Sequence, residues 1–176
     1  MNIQNYTVSF TVDQSPQSVF DAINNVRGWW AEDEEGDTDR PGAVFYHHYK
    51  DVHRCTLKIT EFVPGQRVKW HVLHNDFNFV KDKTEWNGSD VIFDIAKKGE
   101  QTELRFTHIG LLPTDECYDV CSNAWGQYIS VSLRKLITTG EGEPNPVDEH
   151  AVHQDEVVAK VREMNRKLES ERGLDG

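Results

Sequence analysis

Two alternating segments followed by a long amphipathic stretch constrain the fold of this chain more than any other part of it. Residues 86–95 and 102–108 alternate apolar and polar side chains, which is the period of a strand with one buried face. The polar link at residues 96–101 contains Gly99, which suits a hairpin. We therefore predict two paired strands directly before a helix that can cover them.

The covering helix is predicted over residues 115–139. One face of this stretch carries mostly apolar side chains, namely Cys121, Trp125, Tyr128, Ser132 and Leu136, with Ile129, Val131 and Leu133 among its flanks. A face this wide is typical of a helix that lies on a sheet. Gly140 predicts the end of the helix, because glycine readily adopts the left-handed conformation that closes many helices.

Further elements are predicted before the hairpin. Strands are expected over residues 6–12, 43–49, 54–62 and 67–74. A short helix follows the first strand, with Ser15 as its N-cap and Pro16 at its first position, and ends near residues 24–25. Residues 75–85 are predicted as a long loop or a broken strand over the mouth of the sheet. This order predicts an α+β fold in which a curved antiparallel sheet wraps the long helix.

Two shorter segments carry unusual residues. The adjacent Trp29 and Trp30 cannot both point inward from a regular element, so one is expected in the core and the other at a rim. Residues 32–42 hold many Asp and Glu residues but lack the ligand spacing of an EF-hand. A solvated loop is therefore predicted there rather than a cation site.

The order of the elements and several segments resemble the helix-grip fold of the START-like (polyketide cyclase and lipid-transport) superfamily. Within it, the chain is most similar to homologues of the C-terminal domain of the activator of the heat-shock-protein-90 ATPase. The segments that carry the resemblance are the first strand, Trp29–Trp30 and residues 15–23, 61–70, 102–111 and 125–128. The resemblance covers residues 6–139 and implies a cavity that different members use for different ligands.

The chain is predicted to hold one START-like domain at residues 1–140, a linker at 141–147 and a helical tail at 148–176. In the tail, Val157, Val161, Met164 and Leu168 form a narrow apolar stripe at heptad-like spacing. Such a stripe either docks on the domain or pairs with a second chain, so a homodimer through the C-terminal helix is one of two expectations.

The formal net charge of −11 disfavours two classes of partner. A surface this acidic repels nucleic-acid phosphates and anionic membranes. The 3 cysteines predict no disulfide framework, and the chain has neither a membrane-spanning apolar run nor a secretory signal at its start. A cytoplasmic protein without a cofactor or a metal site is therefore expected.

The inward faces predict a pocket between the sheet and the long helix for a small apolar or aromatic ligand. The candidate ligand-contacting residues all carry rings: His47, Tyr49, Trp70, Phe93, Phe106, His108, Trp125 and Tyr128. The same residues could equally fill a fully packed core without any pocket, so this alternative stays open. For His108 two roles are open, a contact with a ligand or reacting group and a structural hydrogen bond.

Two other functions also stay open. One is a cyclase- or hydrolase-type enzyme with His108 or His47 as base beside Tyr128 or Tyr49, although the chain has no nucleophile elbow. The other is a chaperone ATPase regulator or a stress-response protein that acts through its surface. The eukaryotic activator has a separate N-terminal domain that contributes to chaperone binding, whereas this chain starts at the grip domain. This difference argues against chaperone binding, and the surface role stays open as an alternative.

Overall fold

One antiparallel sheet of seven strands forms the body of the computed structural model, which describes residues 5–50, 52–147 and 155–174. The strands are β1 (Tyr6–Val12), β2 (Glu35–Gly36), β3 (Val44–Tyr49), β4 (His53–Val63), β5 (Arg67–Phe77), β6 (Asp90–Lys98) and β7 (Gln101–Ile109). Their order across the sheet is β1-β7-β6-β5-β4-β3-β2. Together with the long helix described below, this sheet confirms the predicted α+β helix-grip fold.

The central hairpin is tighter than predicted. β6 and β7 pair from Asp90↔Ile109 as far as Lys98↔Gln101, which leaves only two residues in the turn. Gly99 has a φ of 62°, a left-handed conformation that glycine adopts without strain. The predicted six-residue link was wrong because polar residues at the outer end of a hairpin still complete the backbone ladder. Residues 86–89, predicted as strand, form a turn before β6.

The inward faces predicted for β4 to β7 are confirmed by burial. The buried residues alternate along each strand: Cys55, Leu57 and Ile59; Val68, Trp70 and Val72; Val91, Phe93 and Ile95; Leu104, Phe106 and His108. β5 extends past its predicted end, because a register shift between Thr56 and Leu57 lets His53 pair with Phe77. Residues 75–77 are therefore strand, and the loop begins after them.

Helix α1 (Pro16–Asn24) begins and ends where predicted. Ser15 Oγ accepts a hydrogen bond from Ser18 N at 3.1 Å, and Pro16 is the first helical residue. This capping bond satisfies an amide that the helix itself leaves unpaired.

Both adjacent tryptophans are buried, which contradicts the prediction of one rim residue. Trp29 and Trp30 are 0% and 1% exposed. They follow a 3-10 turn at Val26–Gly28 and belong to no regular helix or strand, so the alternation of faces does not apply to them. Their rings are nearly parallel to each other and to Trp70, with centroids 6.0 Å apart within the pair and 5.7 Å from Trp30 to Trp70.

The long helix covers residues 118–139 and has an irregular middle. α2 (Tyr118–Gly126) passes into a π-helical segment at Gln127–Leu133, then into α3 (Arg134–Thr139), and Gly140 ends it with a φ of 90° as predicted. A π-helical turn rotates the residues that follow it relative to an α-helix. Val131, predicted on the flank of the apolar face, lies within the π-helical segment and is 42% exposed.

Residues 141–147, predicted as a linker, pack against the rest of the chain. Glu143 N donates to Ser132 Oγ at 2.8 Å, and Asn145 N donates to Trp30 O at 2.9 Å. A Cβ atom on Gly142 would meet Gly28 O at 2.3 Å, so only glycine fits at this close approach.

Helix α4 (Asp155–Leu174) lies against β2 and β3. Val161 is buried in a small cluster with Val44 and Tyr46. Asn165 Nδ2 donates to Val44 O at 2.7 Å, and Asn165 Oδ1 accepts from Val44 N at 2.9 Å. The pairing of β2 stops one residue short of Val44, so the Asn165 amide takes the place of a strand partner. None of the helices in the described residues is long and apolar enough to cross a membrane.

Replacing Asn165 by Leu is expected to release α4 from the sheet. The change leaves the amide and carbonyl of Val44 without partners, at a cost of about 1–3 kcal/mol per unsatisfied group. Residue-resolved hydrogen exchange should show faster exchange at the Val44 amide. The exposed neighbour Arg166, changed to Leu, is the matched control and should leave that amide protected. Unchanged protection of Val44 in the Asn165 variant would contradict the role given to this amide.

Candidate functional site

A pocket of about 250 Å³ opens between the sheet and the long helix. Most of its wall consists of side chains with rings: Trp30, Tyr49, His53, Phe77, Phe79, Trp86, Trp125 and Tyr128. Val52, Val120, Cys121 and Ala124 complete the wall. None of these described lining residues is Asp, Glu, Lys or Arg. The pocket is therefore an apolar, aromatic recess with a few neutral polar groups.

Three of the eight predicted ligand-contacting residues line this pocket, namely Tyr49, Trp125 and Tyr128. The other five are buried in the core behind the wall: His47, Trp70, Phe93, Phe106 and His108. Trp29 occupies much of the interior next to them, since its ring contacts both Trp70 and Phe93. The inward face of the sheet is thus divided between a packed core and a smaller pocket at one end.

His108 is held by hydrogen bonds at both ring nitrogens. Trp125 Nε1 donates to His108 Nδ1 at 3.1 Å, so the histidine carries its proton on Nε2 and donates it to Ser89 Oγ at 2.8 Å. Ser89 Oγ in turn donates to Trp86 O at 2.6 Å. Burial, with a smaller effect of His53, lowers the pKa of His108 to about 3. His108 is therefore a neutral group that fixes Trp125 and Trp86 in the wall of the pocket.

Glu34 is buried, so the prediction of a solvated loop is wrong at this residue. Glu34 directly precedes β2, which pairs with β3. The Arg27 side chain donates hydrogen bonds to Glu34 O and Gly36 O, both at 2.8 Å. Glu34 Oε1 hydrogen-bonds His47 Nδ1, and the two side chains are 0% and 1% exposed.

The Glu34–His47 pair is electrically neutral. Burial raises the pKa of Glu34 well above its usual value and lowers the pKa of His47 to about 3. The His47 ring stacks on Trp30 with the centroids 3.7 Å apart. The pair therefore supports the pocket wall from behind and places no charge next to it.

His53 presents a hydrogen-bond acceptor. Asn75 Nδ2 donates to Lys83 O at 3.3 Å, which turns Asn75 Oδ1 toward His53 Nε2 at 2.7 Å. A carbonyl oxygen only accepts, so His53 Nε2 carries the proton and Nδ1 keeps its lone pair. Burial, followed by the effect of His47, lowers the pKa of His53 to about 3, so the ring is neutral at physiological pH.

Tyr128 presents a hydrogen-bond donor. Asn145 Nδ2 donates to the Tyr128 oxygen at 2.9 Å, which leaves the hydroxyl proton free to point elsewhere. Burial raises the pKa of Tyr128, so the hydroxyl stays protonated. The segment after the long helix thus takes part in the site, because Asn145 orients a side chain of the wall.

His53 lines the pocket but was not among the predicted ligand contacts, although the sequence contained a signal for it. It has the same parity as the buried Cys55 and Leu57, so a β4 that begins one residue earlier places it on the inner face. Phe77 and Phe79 fell in the segment predicted as a loop or broken strand over the mouth. Trp86 lies in a turn, where no periodicity marks a buried face.

The described residues of this site do not favour a metal ion or a reactive thiol. Across residues 5–50, 52–147 and 155–174, no group of three His, Cys, Asp or Glu side chains could hold a metal ion. Cys121 lines the pocket as a free thiol. Its hydrogen bond with Cys117, together with burial, raises its pKa, and a neutral thiol is a poor nucleophile.

The sequence matches one family of proteins over most of its length. The model of the family described as "Activator of Hsp90 ATPase homolog 1-like protein" matches residues 13–138. No curated protein matches the chain.

Several solved structures share the fold. The Aha1 dimer from Colwellia psychrerythraea, solved in solution, has a TM-score of 0.64 and 22% identity, and the match covers 80% of this chain and 100% of that chain. The Mll3558 protein from Rhizobium loti has a TM-score of 0.56 and 18% identity, with 72% and 92% covered. CalU16 from Micromonospora echinospora has a TM-score of 0.54 and 15% identity, with 76% of each chain covered. At these identities the similarity establishes the fold alone.

Proposed function

This chain belongs to the family of Activator of Hsp90 ATPase homolog 1-like proteins, and we propose that it binds a small apolar or aromatic ligand in the pocket between the sheet and the long helix. Tyr49, Trp125 and Tyr128 are the ligand contacts proposed from the sequence that lie in this pocket. The START-like resemblance supports the location, because members of that superfamily use the space between sheet and long helix for different ligands.

The composition of the wall carries this proposal. Small-molecule sites are concave and mostly apolar, with a few polar groups that orient the ligand, and the lining of this pocket has that character. Phe79 and Val120, which line it, are 38% and 55% exposed. Large exposed apolar side chains beside a recess are typical of a binding site rather than of a sealed core.

Filling the pocket is expected to weaken or abolish binding of a neutral fluorescent probe, N-phenyl-1-naphthylamine. Ala124 lines the pocket from α2, so Ala124→Trp places an indole in the space for the ligand. We expect the probe to bind about tenfold more weakly or not at all, measured by its fluorescence increase on titration. Asn123→Trp makes the same change at the exposed neighbouring position and should bind the probe like the original protein. Equal binding by both variants would place the probe elsewhere, and no binding by the original protein would contradict the proposed function.

The two histidines that the sequence suggested as catalytic bases, His108 and His47, do not reach the pocket. His108 does not line the pocket, and its Nδ1 lone pair accepts the Trp125 N–H. His47 lies behind Trp30 and is bonded to Glu34. Neither histidine offers a free lone pair to a substrate in the pocket, and geometry is the first requirement for a general base.

Regulation of a chaperone ATPase is a second candidate, favoured by the family match. The expected result is a change in the ATPase rate of Hsp90 when the full chain is added. The Ala124→Trp variant separates this candidate from ligand binding, because a surface contact does not require an open pocket. An unchanged ATPase rate at high molar excess would rule out this candidate.

Self-association and a cytoplasmic location complete the proposal. A structure of similar fold is a dimer in Colwellia psychrerythraea. In this chain Val161 and Asn165 face the sheet, whereas Met164 of the same helix is 43% exposed and open to a second copy. Sedimentation analysis of the full chain tests the homodimer. Three buried free cysteines fit a reducing compartment such as the cytoplasm.

A further inference from the structure

The polar groups of the pocket define what a ligand must carry. His53 lines the pocket and has one free lone pair, at Nδ1, since Nε2 is committed to Asn75. Tyr128 has a free hydroxyl proton, since its oxygen already accepts from Asn145. Tyr49 adds a second hydroxyl from β3. The sheet thus contributes an acceptor, and the long helix contributes a donor.

The indole N–H groups of the wall do not add donors. Trp125 Nε1 donates to His108 Nδ1. Trp30 Nε1 and Trp86 Nε1 are themselves buried, out of contact with the open space. The hydrogen bonds that a ligand can form therefore centre on His53 and the two tyrosines.

An anionic ligand meets no Lys or Arg among the described residues that line the pocket. Lys50 lies over the Tyr49 ring, 5.4 Å from its centroid, but does not line the pocket. A carboxylate that entered would lose its hydration without a compensating charge, which is costly in an apolar site. The described wall accordingly disfavours an anionic ligand.

We infer that the pocket selects a neutral aromatic compound with a hydroxyl group, in the simplest case a phenol, whose O–H donates to His53 Nδ1 and whose oxygen accepts from Tyr128. This inference rests on the proposed function and names the ligand class of that same site. The aromatic body packs between Trp30, Trp86 and Trp125, and the hydroxyl group forms hydrogen bonds with both His53 and Tyr128.

Four compounds with one ring system test the inference on the unaltered protein: naphthalene, 2-methoxynaphthalene, 2-naphthol and 2-naphthoate. Each competes with N-phenyl-1-naphthylamine, and its displacement curve gives its affinity. We expect 2-naphthol to bind about tenfold more tightly than naphthalene, because it can form two hydrogen bonds. The methoxy compound only accepts and should lie between them, and 2-naphthoate should bind most weakly.

Two variants assign the hydrogen bonds. His53→Phe removes the acceptor and should lower the affinity for 2-naphthol to that for 2-methoxynaphthalene, with naphthalene unchanged. Tyr128→Phe removes the donor and should weaken 2-naphthol and 2-methoxynaphthalene but not naphthalene. If either variant does not fold, the order of the four compounds on the unaltered protein still decides.

The outcomes separate this inference from the function on which it rests. Equal affinities for naphthalene and 2-naphthol, or tight binding of 2-naphthoate, would overturn the selection of a neutral hydroxyl compound while an apolar binding site stands. Absence of binding by N-phenyl-1-naphthylamine and by all four compounds would overturn both.

Discussion

Trp30→Ala is expected to lower the free energy of unfolding by about 3–5 kcal/mol, the range for truncating a large buried aromatic residue. Trp30 packs on His47, Trp29, Trp70 and Trp125, so its loss leaves a large cavity bounded by rings that cannot all move in. Domains of this size are stable by only about 5–15 kcal/mol, so the variant would lose a large part of the net stability of the fold. Urea unfolding followed by circular dichroism measures the loss.

Two further substitutions make this result specific. Trp30 Nε1 is buried without a hydrogen bond from the described residues, so Trp30→Phe removes an unpaired donor as well as volume. We expect a clearly smaller loss for Phe than for Ala. Phe79→Ala truncates an aromatic residue that is 38% exposed and should cost much less than Trp30→Ala. Equal losses for Trp30→Ala and Phe79→Ala would contradict the packing described for the tryptophan cluster.

Acidification is expected to destabilise the protein because it holds neutral histidines in its interior. His53 and His108 have pKa values lowered from 6.5 to about 3. Between these two pH values the unfolded chain binds a proton at each histidine and the folded chain does not. The contribution of each neutral histidine to the free energy of unfolding is therefore complete above pH 6.5 and is lost as the pH falls toward about 3. Each histidine should contribute about 1.4 kcal/mol for each pH unit in this window.

Glu34 and His47 contribute slopes of opposite sign. The raised pKa of Glu34 means that the folded chain keeps a proton that the unfolded chain releases above its ordinary pKa of 4.5, so this group lowers stability as the pH rises. His47 raises stability as the pH rises, as the other two histidines do. The pH dependences of Glu34 and His47 therefore partly cancel. The net loss of stability in acid is expected to come from His53 and His108.

His108→Gln tests this assignment. Glutamine offers an amide donor and an oxygen acceptor in place of the two ring nitrogens but does not titrate. Unfolding free energies measured across the window should fall with acid by about 1.4 kcal/mol less for each pH unit in this variant than in the original protein. An unchanged slope would show that His108 does not take up a proton on unfolding. A measurement at neutral pH gives the separate cost of replacing the ring.

The candidate site was only partly predictable, for reasons that differ between residues. Tyr49 and Trp125 were identified because alternation along a strand and helical spacing mark inward faces. Trp70 and Phe106 were predicted on the correct, inward face of the sheet. An alternating pattern shows that a side chain points inward, but not whether it contacts a ligand or another side chain. Glu34 was missed because a carboxylate in an acidic segment is normally solvated, and only its pairing with His47 across the fold explains its burial.

The sequence by itself determined the order of the helices and of every strand except the short β2, the inner faces of the strands, and the caps of α1 and the long helix. These features follow from backbone periods of two and 3.6 residues and from turn conformations, which act over a few neighbouring residues. The tertiary structure alone decided how much of the interior stays open. The answer depends on where Trp29 and Trp30, from an irregular turn, meet Trp70 and Trp125, and such contacts between distant segments leave no local pattern.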